Sequence, residues 1–375
     1  MEGWAARARL PEFPWDRLAP YGDLARAHPG GIVDLSIGTP VDPTPAVVQE
    51  ALRAAADAPG YPLTIGSPAL REALVGWSRR RLGATVTAAN VVPSIGSKEL
   101  VALLPSLLGI HGQKVLIPAL AYPTYDAGAR LAGCEPVPTD DPVAHDPTGV
   151  GLVWVNSPSN PTGEVLSPAR LKTVVDWGRQ HGVLVASDEC YLELGWEADP
   201  VSVLHPSVSG PGPEGVLALH SLSKRSNLAG YRAGFAVGDA TAVGLVVEAR
   251  KHLGLLQPAP VQAAMVAALA DDSHVAHQKE RYRTRRALLR AAVEKAGFRV
   301  DHSEAGLYLW CTRDEDCWET VAALARAGVL VAPGEFYGQD GSRHVRLALT
   351  ATDERVAAAA ERLAVLARSP TGGRR

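Results

Sequence analysis

The amino-acid sequence predicts an α/β fold in which a mostly parallel sheet carries helices on both faces. Short apolar strands alternate with amphipathic helices up to about residue 270, and shorter strands around one helix follow. A chain of 375 residues that is 46% hydrophobic is long enough for about two domains. We expect a large domain over 40–270, a smaller α+β domain over 271–375, and an N-terminal arm over 1–39 that also contributes to the small domain.

Charge and composition restrict the class of partner. The formal net charge is −3, with no basic block suited to nucleic acid and no polybasic patch suited to a membrane surface. No run approaches the roughly 18 apolar residues of a membrane span, and the N-terminus lacks the apolar core of a signal peptide. The 4 cysteines have no metal-ligand spacing and are expected to be reduced packing residues. We therefore expect a cytoplasmic protein that binds small molecules and no metal.

The first ninety residues predict an arm, an extended segment and two helices. Residues 10–16 combine prolines with large apolar side chains, so they should pack on a surface that a partner subunit would provide. Residues 32–37 are extended and end at Gly38. Helices are predicted at 45–55 and 67–82, where a proline or a serine–proline pair stands at the predicted N-terminus.

A strand at 91–95 leads into Gly96, Ser97 and Lys98 at the start of a further helix. Unpaired N–H groups at a helix N-terminus bind a phosphate through hydrogen bonds and the helix dipole, so this turn is a candidate phosphate site. An isolated Gly-Ser-Lys is a weak signal by itself. Pro105 should bend or shorten the helix.

Several predicted strands end in polar or aromatic residues. Ligands of open parallel sheets bind beyond the carboxyl ends of the strands, which makes these residues candidates for a site. An acidic residue at a strand end is also compatible with a turn cap. The strands and the residues that follow them are 114–117 with Tyr122, 151–155 with Asn160, and 183–187 with Asp188 and Tyr191.

Lys224 lies between two apolar strands, 216–219 and 235–237, among hydroxyl and glycine residues. Partial burial and nearby cations would lower the pKa of such a lysine and make its amine a nucleophile of the kind that forms Schiff bases. Ser221 and Arg232 add a hydroxyl and a planar guanidinium, which are suited to a phosphate. Together they indicate pyridoxal 5'-phosphate (PLP), although a lone Ser-x-Ser-Lys is also compatible with a solvated loop lysine.

The lysine segment resembles the signature of a known family. Its pattern, Ser-x-Ser-Lys followed by Asn-x-x-Gly-x-Arg-x-Gly, resembles class I/II aminotransferases of PLP fold type I, and nearly all of the chain fits that family. The resemblance implies a PLP-dependent enzyme whose cofactor is carried by Lys224. It also implies phosphate contacts from Ser221, Arg232 and the turn at 96–98.

The resemblance implies further roles around the cofactor ring. Tyr122 would stack on the ring, and Asp188 would pair with its protonated nitrogen. Asn160 and Tyr191 would contact the ring oxygen O3'. The bond between Asn160 and Pro161 is expected to be cis, because aiming the asparagine at the cofactor needs an unusual turn. Lys224, Asp188 and Tyr191 are the expected catalytic residues.

Substrate and subunit contacts follow from the same resemblance. Arg346 lies in an otherwise apolar strand and therefore needs an anion, which the family supplies as the substrate α-carboxylate. Gly38 and Asn160 would lie beside that carboxylate. Tyr61 resembles the family tyrosine that reaches the phosphate of the neighbouring subunit's cofactor, although the residue alone is equally compatible with packing. With the N-terminal arm, Tyr61 predicts a homodimer.

Longer segments narrow the substrate. Those at 10–16, 94–100, 188–195 and 223–231 resemble actinobacterial succinyldiaminopimelate aminotransferases of the lysine and diaminopimelate pathway. This implies transfer of an amino group between glutamate and N-succinyl-2-amino-6-oxopimelate, with 2-oxoglutarate as acceptor in the reverse sense.

Both of these substrates have a second anionic end besides the α-carboxylate. Lys98 and Arg225 are candidate partners for it, although Lys98 is also compatible with phosphate binding and Arg225 with a solvated position.

Other activities stay open at this point. They are another glutamate- or aspartate-using aminotransferase, a PLP-dependent cysteine-S-conjugate β-lyase, and a non-catalytic PLP-fold regulator. The regulator is disfavoured because no DNA-binding segment precedes the predicted large domain and no expected site residue is missing.

Overall fold

The structure is a computed structural model that describes residues 10–366. The sequence also predicts a disordered tail of about eight residues at the C-terminus, and this tail lies outside the described residues. The strands are β1 (Val33–Asp34), β2 (Val91–Ile95), β3 (Lys114–Ile117), β4 (Glu135–Pro138), β5 (Val150–Asn156), β6 (Leu184–Asp188), β7 (Val216–Ser221), β8 (Ala233–Gly238), β9 (Arg299–Asp301), β10 (Tyr308–Thr312), β11 (Val329–Leu330), β12 (Ala332–Pro333) and β13 (His344–Ala348).

A seven-stranded sheet with the order β2-β8-β7-β6-β5-β3-β4 is the centre of the fold. The neighbours from β4 to β7 run parallel, and β8 runs antiparallel to both β7 and β2. The predicted mostly parallel sheet is therefore confirmed. β4 was not predicted because it contains two prolines, which an edge strand tolerates since one side of its backbone needs no ladder hydrogen bonds.

Helices cover both faces of this sheet, as predicted. Ser67 and Ser167 accept hydrogen bonds from the backbone N–H groups of Leu70 and Arg170, both at 3.2 Å, and so cap two helices at their predicted starts. The helices are α1 (Ala19–Arg26), α2 (Ala46–Ala54), α3 (Pro68–Trp77), α4 (Ser97–Leu107), α5 (Thr124–Leu131), α6 (Pro168–His181), α7 (Pro206–Ser209), α8 (Leu222–Arg225), α9 (Ala240–Leu253), α10 (Ala259–Ala270), α11 (Ser273–Lys295), α12 (Cys317–Arg326) and α13 (Asp353–Leu366).

Each face of the seven-stranded sheet is covered by its own apolar cluster. Side chains of α2, α3, α6 and α10 pack on one face of the sheet, and those of α4, α5 and α9 pack on the other. Pro105 lies inside α4, which continues to Leu107, so the helix is not shortened at the proline, and a bend there stays a prediction. Pro105 removes one N–H donor, but the N–H of Leu108 still bonds to the carbonyl of Leu104 at 3.0 Å.

The C-terminal part of the chain forms a second, antiparallel sheet with the order β12-β13-β10-β9. β1 pairs in parallel with β11, and Leu18, Val33 and Leu35 pack into the C-terminal core. The N-terminal segment is thereby joined to the C-terminal part, as the sequence suggested, while the boundaries at residues 40 and 270 stay a prediction.

Between residues 10 and 366 no helix is both long and apolar enough to cross a membrane. Over the same residues no three metal-ligating side chains converge. The cysteines Cys134, Cys190, Cys311 and Cys317 are all free thiols.

Candidate active site

Strand register brings the predicted site residues together at the ends of neighbouring strands of the large sheet. Asn156, at the end of β5, pairs with Asp188 at the end of β6. Ser221, at the end of β7, pairs with Gly234, which in turn pairs with Ser94 near the end of β2. The turns that follow these strands therefore meet around one cleft.

Lys224 lies in α8, a single helical turn that follows β7. Ser221 caps this turn, because its Oγ accepts a hydrogen bond from the backbone N–H of Ser223 at 3.1 Å. The Lys224 amine donates to the backbone carbonyl of Gly38. Burial lowers the pKa of Lys224, and the positive charges of Arg346 and Arg232 lower it further. The amine is thus more readily neutral than an exposed lysine, as a nucleophile requires.

The N-terminus of α4 forms an anion cup beside that lysine. Gly96 has φ +74°, and a side chain there would collide with the guanidinium of Arg232. A Cβ on Gly234 would lie 2.6 Å from the backbone nitrogen of Ser97. As the first residues of the helix, Ser97 and Lys98 have no preceding helical carbonyl for their N–H groups. The two glycines therefore let a guanidinium and a helix N-terminus converge on one place.

Asp188 is buried on the far side of the cleft. Its carboxylate accepts a hydrogen bond from the Tyr125 hydroxyl at 3.0 Å and another from the backbone N–H of Cys190 at 3.2 Å. Burial raises the pKa of Asp188. No cationic side chain between residues 10 and 366 forms an ion pair with it. A buried carboxylate in this state is complementary to a ligand that carries a positive N–H group.

The turn after β5 holds Asn160 near Asp188. Asn156 donates to the backbone carbonyl of Asp188 at 2.9 Å and accepts from the backbone N–H of Asn160 at 2.7 Å. The Asn160–Pro161 bond is cis, which confirms that prediction, and Ser157–Pro158 is cis as well.

Arg346 is buried, and its charge, like that of Arg232, acts on Lys224. Its Nη1 donates to Asn160 Oδ1 at 2.7 Å, and its Nη2 donates to the Ser36 carbonyl at 2.7 Å. Its guanidinium carbon lies 3.8 Å from the centre of the Tyr308 ring. The Tyr308 hydroxyl pairs with that of Tyr191 at 3.0 Å. These contacts hold one guanidinium group firmly without neutralising its charge.

Tyr122 and Lys98 lie next to each other, close to Tyr125. The ring of Tyr122 contacts that of Tyr125 edge-on at 6.1 Å. Lys98 is exposed, and its amine lies 5.8 Å from the centre of the Tyr122 ring and 5.7 Å from that of Phe13, in the arm. The arm thus packs on the same chain beside Lys98, whereas the sequence predicted that a partner subunit would supply the surface.

Two residues named from the sequence do not join the cluster. Tyr61 is 97% exposed. Arg225 is buried, contrary to the solvated position considered above, and forms an ion pair with Glu193. Arg225 faces away from the cleft because it lines a small buried space with Trp77, Glu189 and His220. Arg225 is therefore excluded as a partner for a substrate anion.

Comparison with known proteins decides the family. Residues 31–363 match the family described as aminotransferase class I and II. The chain is a class I/II aminotransferase. This aminotransferase is 57% identical over 355 residues to the 4-dedimethylamino-4-oxo-anhydrotetracycline transaminase OxyQ of Streptomyces rimosus, covering 94% of this chain and 99% of that one. It is 60% identical over 358 residues to a probable aminotransferase of Mycobacterium tuberculosis, covering 95% and 86%.

More distant relatives agree on the fold and differ in substrate. An LL-diaminopimelate aminotransferase of Aquifex aeolicus is 33% identical, with 88% of this chain and 90% of that one covered. An aminotransferase structure from Neisseria meningitidis superposes with a TM-score of 0.88 at 30% identity, covering 98% and 99%. A probable N-succinyldiaminopimelate aminotransferase from Thermus thermophilus gives 0.84 at 28% identity, covering 94% and 100%.

The predicted fold class, transaminase activity and cofactor are confirmed by this family membership, because class I/II aminotransferases use PLP. The cleft contains groups that match each part of that molecule. An anion cup faces the amine of Lys224, and the buried carboxylate of Asp188 lacks a cation. The residues present therefore fit PLP.

Sequence reasoning missed three tyrosines of the site. The sequence indicates Tyr122 as the stacking residue and gives Tyr125 no role, although Tyr125 supplies the hydrogen bond to Asp188. Tyr308 and Tyr337 flank Arg346. Strand alternation carries part of this signal, since Trp310 pairs with Arg346 and Tyr308 lies two residues away on the same face. Nothing in the local sequence of Tyr337 indicates its position.

Proposed function

We propose that Lys224 carries PLP and acts as the acid–base group of the transamination. When bound, PLP supplies an electron-accepting ring that stabilises negative charge on the substrate α-carbon. The lowered pKa of Lys224 supports the role, because a neutral amine can accept the proton from that carbon and return it elsewhere. The Gly38 carbonyl, which accepts from the amine, would orient it.

The remaining residues are proposed to bind and orient the cofactor and substrate. Asp188 would hold the ring nitrogen protonated, and the hydrogen bond from Tyr125 would fix the direction of its carboxylate. Tyr122 would cover the ring, and Tyr191 and Asn160 would contact O3'. The proposed phosphate-binding groups are Gly96, Ser97, the backbone N–H of Lys98, Ser221 and Arg232, with Tyr61 from a second subunit. The proposed substrate-binding residues are Gly38, Asn160 and Arg346.

Chemical trapping tests the assignment of Lys224. The purified protein should be yellow, and borohydride should fix the cofactor to the peptide that contains Lys224. A modified peptide elsewhere in the chain would overturn the assignment.

A homodimer is part of the proposal. Tyr61 and Leu63 are 97% and 59% exposed, which is unusual for neighbouring large apolar or aromatic side chains and supports a subunit interface there. A cytoplasmic location stays a prediction from the sequence.

For the substrate we propose glutamate and N-succinyl-2-amino-6-oxopimelate, with 2-oxoglutarate as the acceptor in the reverse sense. The observation that carries this is the position of Lys98. It is an exposed cation with aromatic rings on two sides and no ion pair with any residue from 10 to 366. A succinyl carboxylate on a long side chain could reach it while the α-carboxylate is bound by Arg346. The relationship to diaminopimelate aminotransferases is consistent with such a substrate.

A second candidate substrate is a tetracycline-type polycyclic ketone. The high identity to OxyQ over nearly its full length favours it. Such a ketone has no carboxylate chain to bring to Lys98, so the two candidates differ in whether they need that amine.

A panel of amino donors with 2-oxoglutarate, to which the amine formed from the polycyclic ketone is added, discriminates between these candidates. N-succinyl-LL-diaminopimelate should have the highest kcat/KM, and Lys98→Gln should lower that value roughly tenfold, or about 1.4 kcal/mol, by removing the cation. Lys172→Gln, at an exposed position on α6, is the matched control and should change nothing.

The panel also separates the alternatives. A tenfold advantage for aspartate, phenylalanine or N-acetylornithine would overturn the substrate proposal but leave the PLP assignment intact. Release of pyruvate from a cysteine conjugate without any keto acid would indicate a β-lyase.

A further inference from the structure

Tyr337 is a buried tyrosine whose hydroxyl has no role in the site as proposed so far. It ends the 3-10 helical turn Gly334–Tyr337, and 2% of its surface is exposed. Its hydroxyl has no hydrogen-bond partner among residues 10–366. Buried polar groups are nearly always paired, so an unpaired hydroxyl beside a substrate cleft indicates that a ligand supplies the partner.

Packing holds the ring that carries this hydroxyl in place. The Tyr337 ring meets the ring of Trp15 edge-on at 6.2 Å and that of Trp310 edge-on at 6.2 Å. Its backbone carbonyl accepts from the N–H of Ala121 at 2.7 Å. The ring is therefore held from the arm, from β10 and from the large domain, without any hydrogen bond to the hydroxyl itself.

The neighbour of Tyr337 in the cleft is Arg346. The guanidinium carbon of Arg346 lies 4.9 Å from the centre of the Tyr337 ring. Nη1 and Nη2 of Arg346 bond to Asn160 and Ser36, but its Nε has no partner within the described part of the chain. Two side chains in contact thus each present one unpaired donor.

The hydroxyl is a donor at any physiological pH. Burial raises the pKa of the Tyr337 phenol, while the positive charge of Arg346 opposes that rise. The phenol therefore stays protonated beside the guanidinium, and the pair can offer two donors, the hydroxyl O–H and Nε–H.

We propose that the Tyr337 hydroxyl and Arg346 Nε both donate to the substrate α-carboxylate, which makes Tyr337 a substrate-binding residue of this aminotransferase. The inference rests on the proposed role of Arg346. A carboxylate has about four acceptor positions on two oxygens, so one group can satisfy both donors. A phenylalanine at this position would leave the carboxylate bound by the guanidinium alone.

The test compares Tyr337→Phe with the wild-type holoenzyme and with Tyr21→Phe. Tyr21 lies in α1 and packs on Trp318 with ring centres 5.4 Å apart, away from the cleft, so it is a matched control. Single-turnover rates are measured by cofactor absorbance with glutamate and with 4-aminobutyrate, which is glutamate without its α-carboxylate. Tyr337→Phe should lower kcat/KM for glutamate roughly tenfold, mainly through KM, and leave 4-aminobutyrate unaffected.

Two outcomes would overturn the inference. One is a kcat/KM for glutamate within twofold of wild type in Tyr337→Phe. The other is an equal loss with both amines, which would mean that the hydroxyl acts elsewhere. The wild-type reaction with glutamate reports on the proposed function separately, since its failure would not involve the hydroxyl.

Discussion

The two arginines of the cleft are held in opposite ways. Arg346 is buried, and two hydrogen bonds and two tyrosine rings fix it. Arg232 is exposed, and among residues 10–366 its side chain donates a single hydrogen bond, to the carbonyl of Ala229 at 2.9 Å. The side chain of Arg346 is therefore held in place before any ligand binds. The charged side chain of Arg232 is not held in one position.

This difference indicates how each arginine contributes to specificity. Rigid donors discriminate among substrates because a misfitting group leaves buried polar atoms unpaired. The anion cup at Arg232 relies instead on main-chain N–H groups and a helix N-terminus, which accept any phosphate. We expect substitutions near Arg346 to change substrate kinetics and those near Arg232 to change cofactor retention.

The largest expected effect is at Asp188. Asp188→Asn should retain PLP yet lower kcat roughly a thousandfold, about 4 kcal/mol, because an amide cannot stabilise a protonated ring nitrogen as a carboxylate does. Single-turnover absorbance measures it. Near-normal rates would mean that another group keeps the nitrogen protonated.

Arg346→Lys tests the firmly held arginine directly. Lysine keeps the charge but lacks the planar fork, so kcat/KM for amino acids should fall roughly a hundredfold, about 3 kcal/mol, with PLP content unchanged. Arg343→Lys, at an exposed position before the same strand, is the control and should behave as wild type. Loss of PLP from Arg346→Lys without a kinetic change would mean that Arg346 governs cofactor retention and not substrate kinetics.

Asp42 anchors the segment that carries Ser36 and Gly38 into the site. It accepts hydrogen bonds from Arg285, Arg281 and Gln278. Burial raises the pKa of Asp42, but these bonds outweigh burial and lower it to about 2.

The stabilisation from Asp42 should therefore be fully present above pH 4 and be lost as the pH falls through about 2. Asp42→Asn should cost about 2 kcal/mol in the free energy of unfolding at pH 7. Urea unfolding at pH 7 and pH 3 measures it, with the exposed Asp23→Asn as a control near zero. An equal cost at both pH values would show that the charge of Asp42 is not its source.

The smallest expected effect concerns the phosphate-binding residues around Arg232. Tyr61→Phe should weaken PLP retention roughly tenfold, about 1.4 kcal/mol, if its hydroxyl reaches the phosphate of the second subunit. Dissociation of PLP on dilution measures this, and sedimentation should find a dimer in both proteins. A fully active monomer would contradict the role of Tyr61 and the homodimer together.

The sequence predicted most of the site residues that lie at the ends of strands. Asp188, Asn160 and Ser221 follow apolar strands, so a parallel sheet brings them together whatever the details of packing. It could not predict contacts between remote segments, such as Arg346 with Ser36, which are separated by 310 positions. For the same reason it gave no indication of the orphan hydroxyl of Tyr337 or of the burial of Arg225, whose partners lie on other elements.

The edges of the large sheet restrict how subunits can associate. β4, at one edge, contains Pro136 and Pro138, and β2, at the other, contains Pro93. Proline has no N–H to donate, so neither edge offers an unbroken ladder to a strand from another molecule. A dimer built by extending this sheet is therefore disfavoured, and side chains on helices and loops must supply the contact. The same two edges should protect the protein against strand-to-strand aggregation at high concentration.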